Sequence, residues 1–360
     1  MKKHFSFRTP AILKKDPLVR SAEEAPFRLY GLLPAKENGL FTRMPQSVAI
    51  RVSERVSLLH TNTAGGRLRF ATDSSFLALG ALYPPMVFPS DRTAALSGAN
   101  AFCFDLYVDG RHSRVLWHEG IKTHGSGVAF DLADGHYEGF IDFGKRKRRE
   151  ITLCFPSFVN ISELFVGLER DASLAEPAPY VNHLPVVFYG SSITQGACAS
   201  RAGNTYENIL SRRFRFDYLN LGFAGACHAE EAMVDHLCTL PMQLLVYDYD
   251  HNATSAEDLR QTHLPALRRL REAHPDIPFI LLSKPNIHNG KEEAVTRMHV
   301  IEESYEALKK ESVAPVHFVN GQKIFEKHDP DMMTVDGTHP TDLGFYSMAD
   351  ALSEVFKLYF

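Results

Sequence analysis

The spacing of apolar positions changes near residue 178. Before that point short alternation dominates. "SVAIRVS" sets Val48, Ile50 and Val52 against Ser47, Ala49, Arg51 and Ser53, the period-two pattern of a half-buried strand. "GRLRF" repeats it, with Leu68 and Phe70 opposite two arginines. "FDLYVDGRHSRVLW" predicts a hairpin, because Asp109-Gly110 tolerates the positive φ angles of a tight turn. Many short strands between turn signals, with almost no helical periodicity, predict a β-sandwich over residues 1–178.

After "SLAEPAPYVNHLP", a linker with three prolines, strands alternate with helices. "VVFY", "DYLNL", "LLVYD", "FILLS" and "VHFVN" are apolar runs of strand length. Longer helical stretches separate them. One, 255–274, opens on Ser255 with Asp258 three residues on, a variant of the capping box. Five such alternations predict an α/β domain over 179–360, its parallel sheet covered by helices on both faces. Ligands of such sheets bind beyond the carboxyl ends of the strands, so the chemistry is sought there.

Composition adds little. The chain has 360 residues, 44% of them hydrophobic and 23% charged, with a formal charge of −4, which exerts no global pull toward nucleic acid or membrane. The basic run "KRKRR" at 145–149 lies between two strand-like segments and is expected to be a solvated turn. The N-terminus lacks the apolar stretch of a signal peptide, and no apolar run reaches the roughly 20 residues of a membrane span. The five cysteines show no CxxC spacing and are expected to be free thiols. A cytoplasmic location is the expectation. Trp117, the only tryptophan, is expected in the core of the sandwich.

The strand ends carry a consistent set of groups. The first runs into Gly190-Ser191-Ser192-Ile193-Thr194, the second into "NLGFAGACH" with Gly222 and Gly225, and the third into "DYDHNAT" with Asn252. Near the C-terminus "VDGTHPTDLGF" places Asp336 three residues before His339. These parts meet the needs of acyl transfer through serine. An alcohol needs an adjacent base, and neutral imidazole suits that task. A carboxylate three residues earlier can reach Nδ1 and leave Nε2 aimed at the serine. The N–H groups of Ser192 and Gly225 and the amide of Asn252 are candidate oxyanion donors. Ser192 is expected to be the nucleophile and Ser191 to shape the turn. His228 and Arg201 are weaker candidates for substrate contact. A rival set of metal ligands, His228, Asp250, His251, Asp336 and His339, lacks HExxH or comparable spacing. Neither metal nor cofactor is expected.

In that order, Ser192, Gly225, Asn252 and His339, with Asp336 as the orienting acid, resemble the four blocks of the SGNH (GDSL-type) hydrolase superfamily. The similarity is greatest to the subfamily with an N-terminal sandwich bearing a GxDLY signature. "CFDLY" at 103–107 is the matching stretch, with cysteine in place of glycine. "FTRMP", "AGGRLRFATDS", "GSSITQGACASRAGNTY", "NLGFAGACHAEEA" and "DGTHPTDLG" also look like that subfamily. The usual Asp before the nucleophile is Ser191 here, and the third block reads "YDYDHNA" rather than GxND. The resemblance implies a flavodoxin-like three-layer α/β/α hydrolase domain behind a jelly-roll-like sandwich. It also implies cofactor-free hydrolysis of small esters, often acetyl groups on sugars. The alternatives it leaves are an acyltransferase with the same triad and a carbohydrate-binding protein with an inactive hydrolase half. Three roles stay open for the sandwich: shaping the cleft, binding glycan, or building a homo-oligomer interface.

Overall fold

A computed structural model describes residues 5–85, 96–117, 121–123, 130–132, 134–285 and 291–360. The chain divides into two compact units. The first comprises Met1–Arg43, Thr61–Pro179 and Ser200–Gly203; the second comprises Met44–His60, Tyr180–Ala199 and Asn204–Phe360. No helix among the described residues is long and apolar enough to cross a membrane.

The first unit is built from antiparallel sheets. One has the order Leu18–Ser21, Glu163–Leu168, Phe76–Leu82, His136–Asp142. A second runs Leu174–Ala175, Arg67–Thr72, Arg149–Cys154, Phe104–Val108, Arg111–Leu116, with Arg28–Tyr30 also paired to Arg67–Thr72, and Ile121–Thr123 pairs with Phe130–Leu132 in a small third. Leu68 and Phe70 are fully buried, as their alternation requires. The hairpin turns at Asp109 (φ 51°) and Gly110 (φ 76°), both in the left-handed region that a two-residue loop of type I′ needs. Residues 145–148 of the basic run form the connection before Arg149–Cys154, and Arg146 pairs with Asp73 and Asp171. Trp117 departs from expectation: it is 53% exposed.

"SVAIRVS" is not a strand. Gln46–Val52 and Glu54–Leu59 are two short helices, and they belong to the second unit. Alternation within seven residues hid a longer stripe. Ala49, Val52, Val56 and Leu59 recur at helical spacing and enter a core with Met233, Val234 and Leu237, while Ile50 stays 59% exposed. Ser53 sits between the helices and accepts the Val56 N–H at 3.1 Å, a cap that starts the second.

The second unit holds the five expected strands: Val186–Gly190, Tyr218–Gly222, Leu244–Asp248, Phe279–Leu282 and Val316–Val319. All pair in parallel, in the spatial order second, first, third, fourth, fifth. The strands are apolar on both faces because both are covered. Val186, Phe188, Leu244 and Val246 join a core with Leu210, Phe345, Met348 and Leu352 of helices Tyr206–Phe214 and Asp342–Phe356. Val187, Tyr189, Leu245 and Tyr247 join the opposite core with Leu237 of Glu231–Thr239, Leu259 and Leu267 of Ala256–Ala273, and Ile301 of Lys291–Glu311. The strand order reverses between the first and third strands, the place where ligands of open α/β sheets bind.

Candidate active site

The first strand ends at Gly190, and the chain turns at once into the short helix Ser192–Gln195. The turn is too tight for a side chain. A Cβ on Gly190 would lie 2.1 Å from Thr194 Oγ1 and 2.8 Å from the Asp248 carbonyl oxygen. Gly222, beside it at the end of the second strand, faces the same limit: its Cβ would meet the Gln195 backbone nitrogen at 2.2 Å. Ser191 caps the short helix by accepting the Ile193 N–H at 3.1 Å. Ser192 follows, 8% exposed, against 1% for Ser191.

Ser192 Oγ lies 2.8 Å from Nε2 of His339. Nδ1 of that ring lies 2.7 Å from Oδ2 of Asp336, and Oδ1 of Asp336 accepts the backbone N–H groups of His339 at 2.8 Å and Thr338 at 3.0 Å. Burial pushes the Asp336 carboxyl up, but the bonds from His339 and Thr338 outweigh it and hold the group below its ordinary value. An ionised carboxylate only accepts, so Nδ1 carries the proton and Nε2 presents a lone pair to the hydroxyl.

Candidate oxyanion donors come from three loops. Ser192 opens a helix, so its N–H has no intrahelical acceptor. Gly225 is exposed, with φ at 65°. Asn252 turns its Oδ1 to the Cys227 N–H at 3.3 Å, which leaves the Nδ2 hydrogens for another acceptor. Two side chains brace the Gly225 loop. Gln195 Oε1 accepts the Ala224 N–H at 2.9 Å, and Arg55 Nε donates to the Ala224 carbonyl at 2.6 Å. Arg55 comes from the helix Glu54–Leu59, next in the chain after "SVAIRVS", and was not among the candidate site residues.

The weaker candidates have other surroundings. Arg201 belongs to the first unit, where Nη1 donates to Asp105 Oδ2 and to Tyr107 Oη, each at 2.6 Å. Asp105 also accepts the Gly203 N–H at 3.0 Å. The Asp and Tyr of "CFDLY" thus hold residues 201–203, and the Arg201 guanidinium is engaged within that clamp. His228 is half-buried, and burial pushes the carboxyl of nearby Glu230 up. Of the rival metal set, Asp250 and His251 sit with Asp248, their ligand atoms within 4.8 Å of one another. Both nitrogens of His251 are already engaged, by Asp250 and by Ser191, each at 2.6 Å. Cys198 is a free thiol raised to about 12 by burial and by the Asp336 charge, so it stays protonated at neutral pH and is a poor competitor as nucleophile.

Two family models match the chain. Residues 183–357 match the GDSL-like lipase/acylhydrolase family, and residues 20–174 match the N-terminus of SGNH-hydrolase-type esterases, the GxDLY domain. The chain thus carries a GDSL-like lipase/acylhydrolase domain behind a GxDLY domain. Among solved structures it is similar to a Bacteroides ovatus protein described as a GDSL-like lipase. That pair shares 25% identity over 94% of this chain and 98% of the other, with a TM-score of 0.79. A salicylyl-acyltransferase from a tetracycline biosynthetic pathway shares 20% identity over 98% of each chain, with a TM-score of 0.74. A family two carbohydrate esterase from Clostridium thermocellum shares 14% over 83% of this chain and 93% of its own, with a TM-score of 0.58. The last two likenesses establish the fold alone. No curated protein matches the sequence.

Proposed function

We propose that this protein is a serine esterase acting on short-chain esters, acetyl above all, of a carbohydrate or another small hydroxylated molecule. The observation that carries the reading is the unbroken chain from Ser192 Oγ to His339 Nε2, and from His339 Nδ1 to Asp336 Oδ2. In this mechanism His339 takes the Ser192 proton as the oxygen attacks the ester carbonyl. Asp336 keeps the ring in the correct tautomer and stabilises the imidazolium. The oxyanion is met by the N–H groups of Ser192 and Gly225 and by the amide of Asn252. His339 then returns the proton to the departing alcohol, and water releases the acyl group by the same steps in reverse. Support for a sugar substrate comes from neighbours of this fold described as family two carbohydrate esterases and as an acetyl xylan esterase.

Transfer of the acyl group to an acceptor alcohol is a second reading, favoured by the acyltransferase neighbour. It uses the same acyl-enzyme and is read out by product analysis in the presence of added alcohols.

The test is a pair of variants on a chromogenic acetyl ester. Ser192→Ala is expected to lower kcat by about 10⁴-fold or more, whereas Ser191→Ala is expected to lose no more than about 10- to 100-fold, since it loosens the turn without removing the attacking group. The reverse ranking would refute the assignment. Exhaustive EDTA treatment is expected to leave turnover intact, and metal-dependent loss and recovery would contradict it.

A further inference from the structure

Ser191 has a relay of its own beside that of Ser192. Its Oγ lies 2.6 Å from Nε2 of His251, whose Nδ1 lies 2.6 Å from Oδ1 of Asp250, and Oδ2 of Asp250 accepts the Lys284 backbone N–H at 2.7 Å. Asp250 is 1% exposed. The burial that would raise its carboxyl is outweighed by the bonds from the His251 ring and the Lys284 backbone N–H and by the Lys284 charge, so it is held below the ordinary range. A carboxylate facing Nδ1 fixes the proton there. The Ser191 hydroxyl then donates to Nε2 while its oxygen accepts from Ile193 at 3.1 Å. Donors and acceptors match along the whole chain. Two consecutive hydroxyls are thus each joined to their own imidazole and carboxylate.

The hydroxyl of the second relay is the more deeply buried of the two. Ser191 is 1% exposed and the His251 side chain 8%. What sets it apart is what it joins. Asp250, His251 and Asn252 follow the third strand, and these three successive residues hold three different loops. Asp250 holds the segment after the fourth strand through Lys284, His251 holds the nucleophile turn through Ser191, and Asn252 holds the Gly225 loop through Cys227. Lys284 adds a tie to the acid–imidazole loop, with Nζ 3.3 Å from Thr338 Oγ1.

We propose that His251 is a positioning residue: the Asp250–His251–Ser191 relay locks the nucleophile turn to Asn252, so that Ser192 Oγ and the oxyanion donors hold one mutual geometry. The inference rests on the reading of Ser192, His339 and Asp336 given above. Its physical basis is that catalytic groups must be held within about 0.5 Å, and that a displacement of about 1 Å costs on the order of 10²-fold in rate.

The experiment measures kcat and KM on 4-nitrophenyl acetate, together with melting temperature, for Ser192→Ala, Ser191→Ala, His251→Leu, His251→Gln and the double variant Ser191→Ala/His251→Leu. His251→Leu is expected to lose about 10- to 100-fold in kcat, with KM within about threefold. His251→Gln is expected to recover most of that loss, because its amide can donate to Asp250 and accept from Ser191. The double variant is expected to be no slower than His251→Leu, since both changes break the same bond. Parental kcat in His251→Leu, a loss confined to KM, or multiplied losses in the double variant would overturn the proposal. Should His251→Leu fail to fold, His251→Gln and Ser191→Ala decide: near-parental rates in the first and a modest kcat loss in the second support it, and the opposite order overturns it. Turnover by Ser192→Ala would instead overturn the underlying triad reading, whatever His251 does.

Discussion

Asp336 meets His339 twice, through the ring and through the backbone, within one three-residue step. Such a local pairing needs little from the rest of the fold, so its removal separates chemistry from stability. Asp336→Asn is expected to lower kcat by about 10³- to 10⁴-fold through the wrong imidazole tautomer, while melting temperature at pH 7 shifts by only a few degrees. A collapse of melting temperature would show that the carboxylate is structural. The sign of its pH effect follows from its lowered value. The stability it lends is present above the unfolded carboxylate range, about pH 4, and is lost as pH falls through the folded value. At this scale the sequence was most informative where residues sit close together: the Asp336–His339 spacing and the Ser191–Ser192 pair were visible as text. The His251–Ser191 bond was not, since it spans 60 positions and adjacent Asp and His are more readily read as metal ligands.

The five strands were legible because both faces are buried, and near-continuous apolar runs bounded by turns are hard to misread. The segment 46–59 was not, because seven residues of alternation resemble a strand until the stripe is followed through Val56 and Leu59. The third strand also carries an element-scale prediction. Asp248, at its end, is fully buried and gives Oδ2 to the Thr194 hydroxyl at 2.8 Å. Desolvation, with Asp250 adding, raises it to about 6. A raised carboxyl contributes stability that is fully present below its unfolded value, near 4, and lost as pH rises through about 6. The difference corresponds to roughly 3 kcal/mol. Asp248→Asn, which keeps an acceptor for Thr194, is expected to raise melting temperature at pH 7.5 and to flatten the decline between pH 4.5 and 7.5. An unchanged profile would show that the carboxyl ionises in the fold without cost.

For the whole chain, the change of rhythm near residue 178 marks the passage between two kinds of folding unit, and the compact units part at Pro179 and Tyr180. Two exchanges were not legible. Residues 44–60 belong with the hydrolase unit and residues 200–203 with the sandwich, because unit membership depends on long-range packing that local periodicity does not encode. The second exchange explains the "CFDLY" stretch physically: Asp105 and Tyr107 hold Arg201 and Gly203, so the signature serves a clamp rather than a reacting group. The central claim remains that an alcohol and an imidazole 147 positions apart act together. It is tested most directly by treating the protein with a fluorophosphonate and locating the adduct by peptide fragmentation. One adduct on Ser192, absent from Ser192→Ala and strongly slowed in His339→Ala, is the expected result. Labelling at Ser191 or Cys198, or equal labelling of Ser192 without His339, would contradict the account.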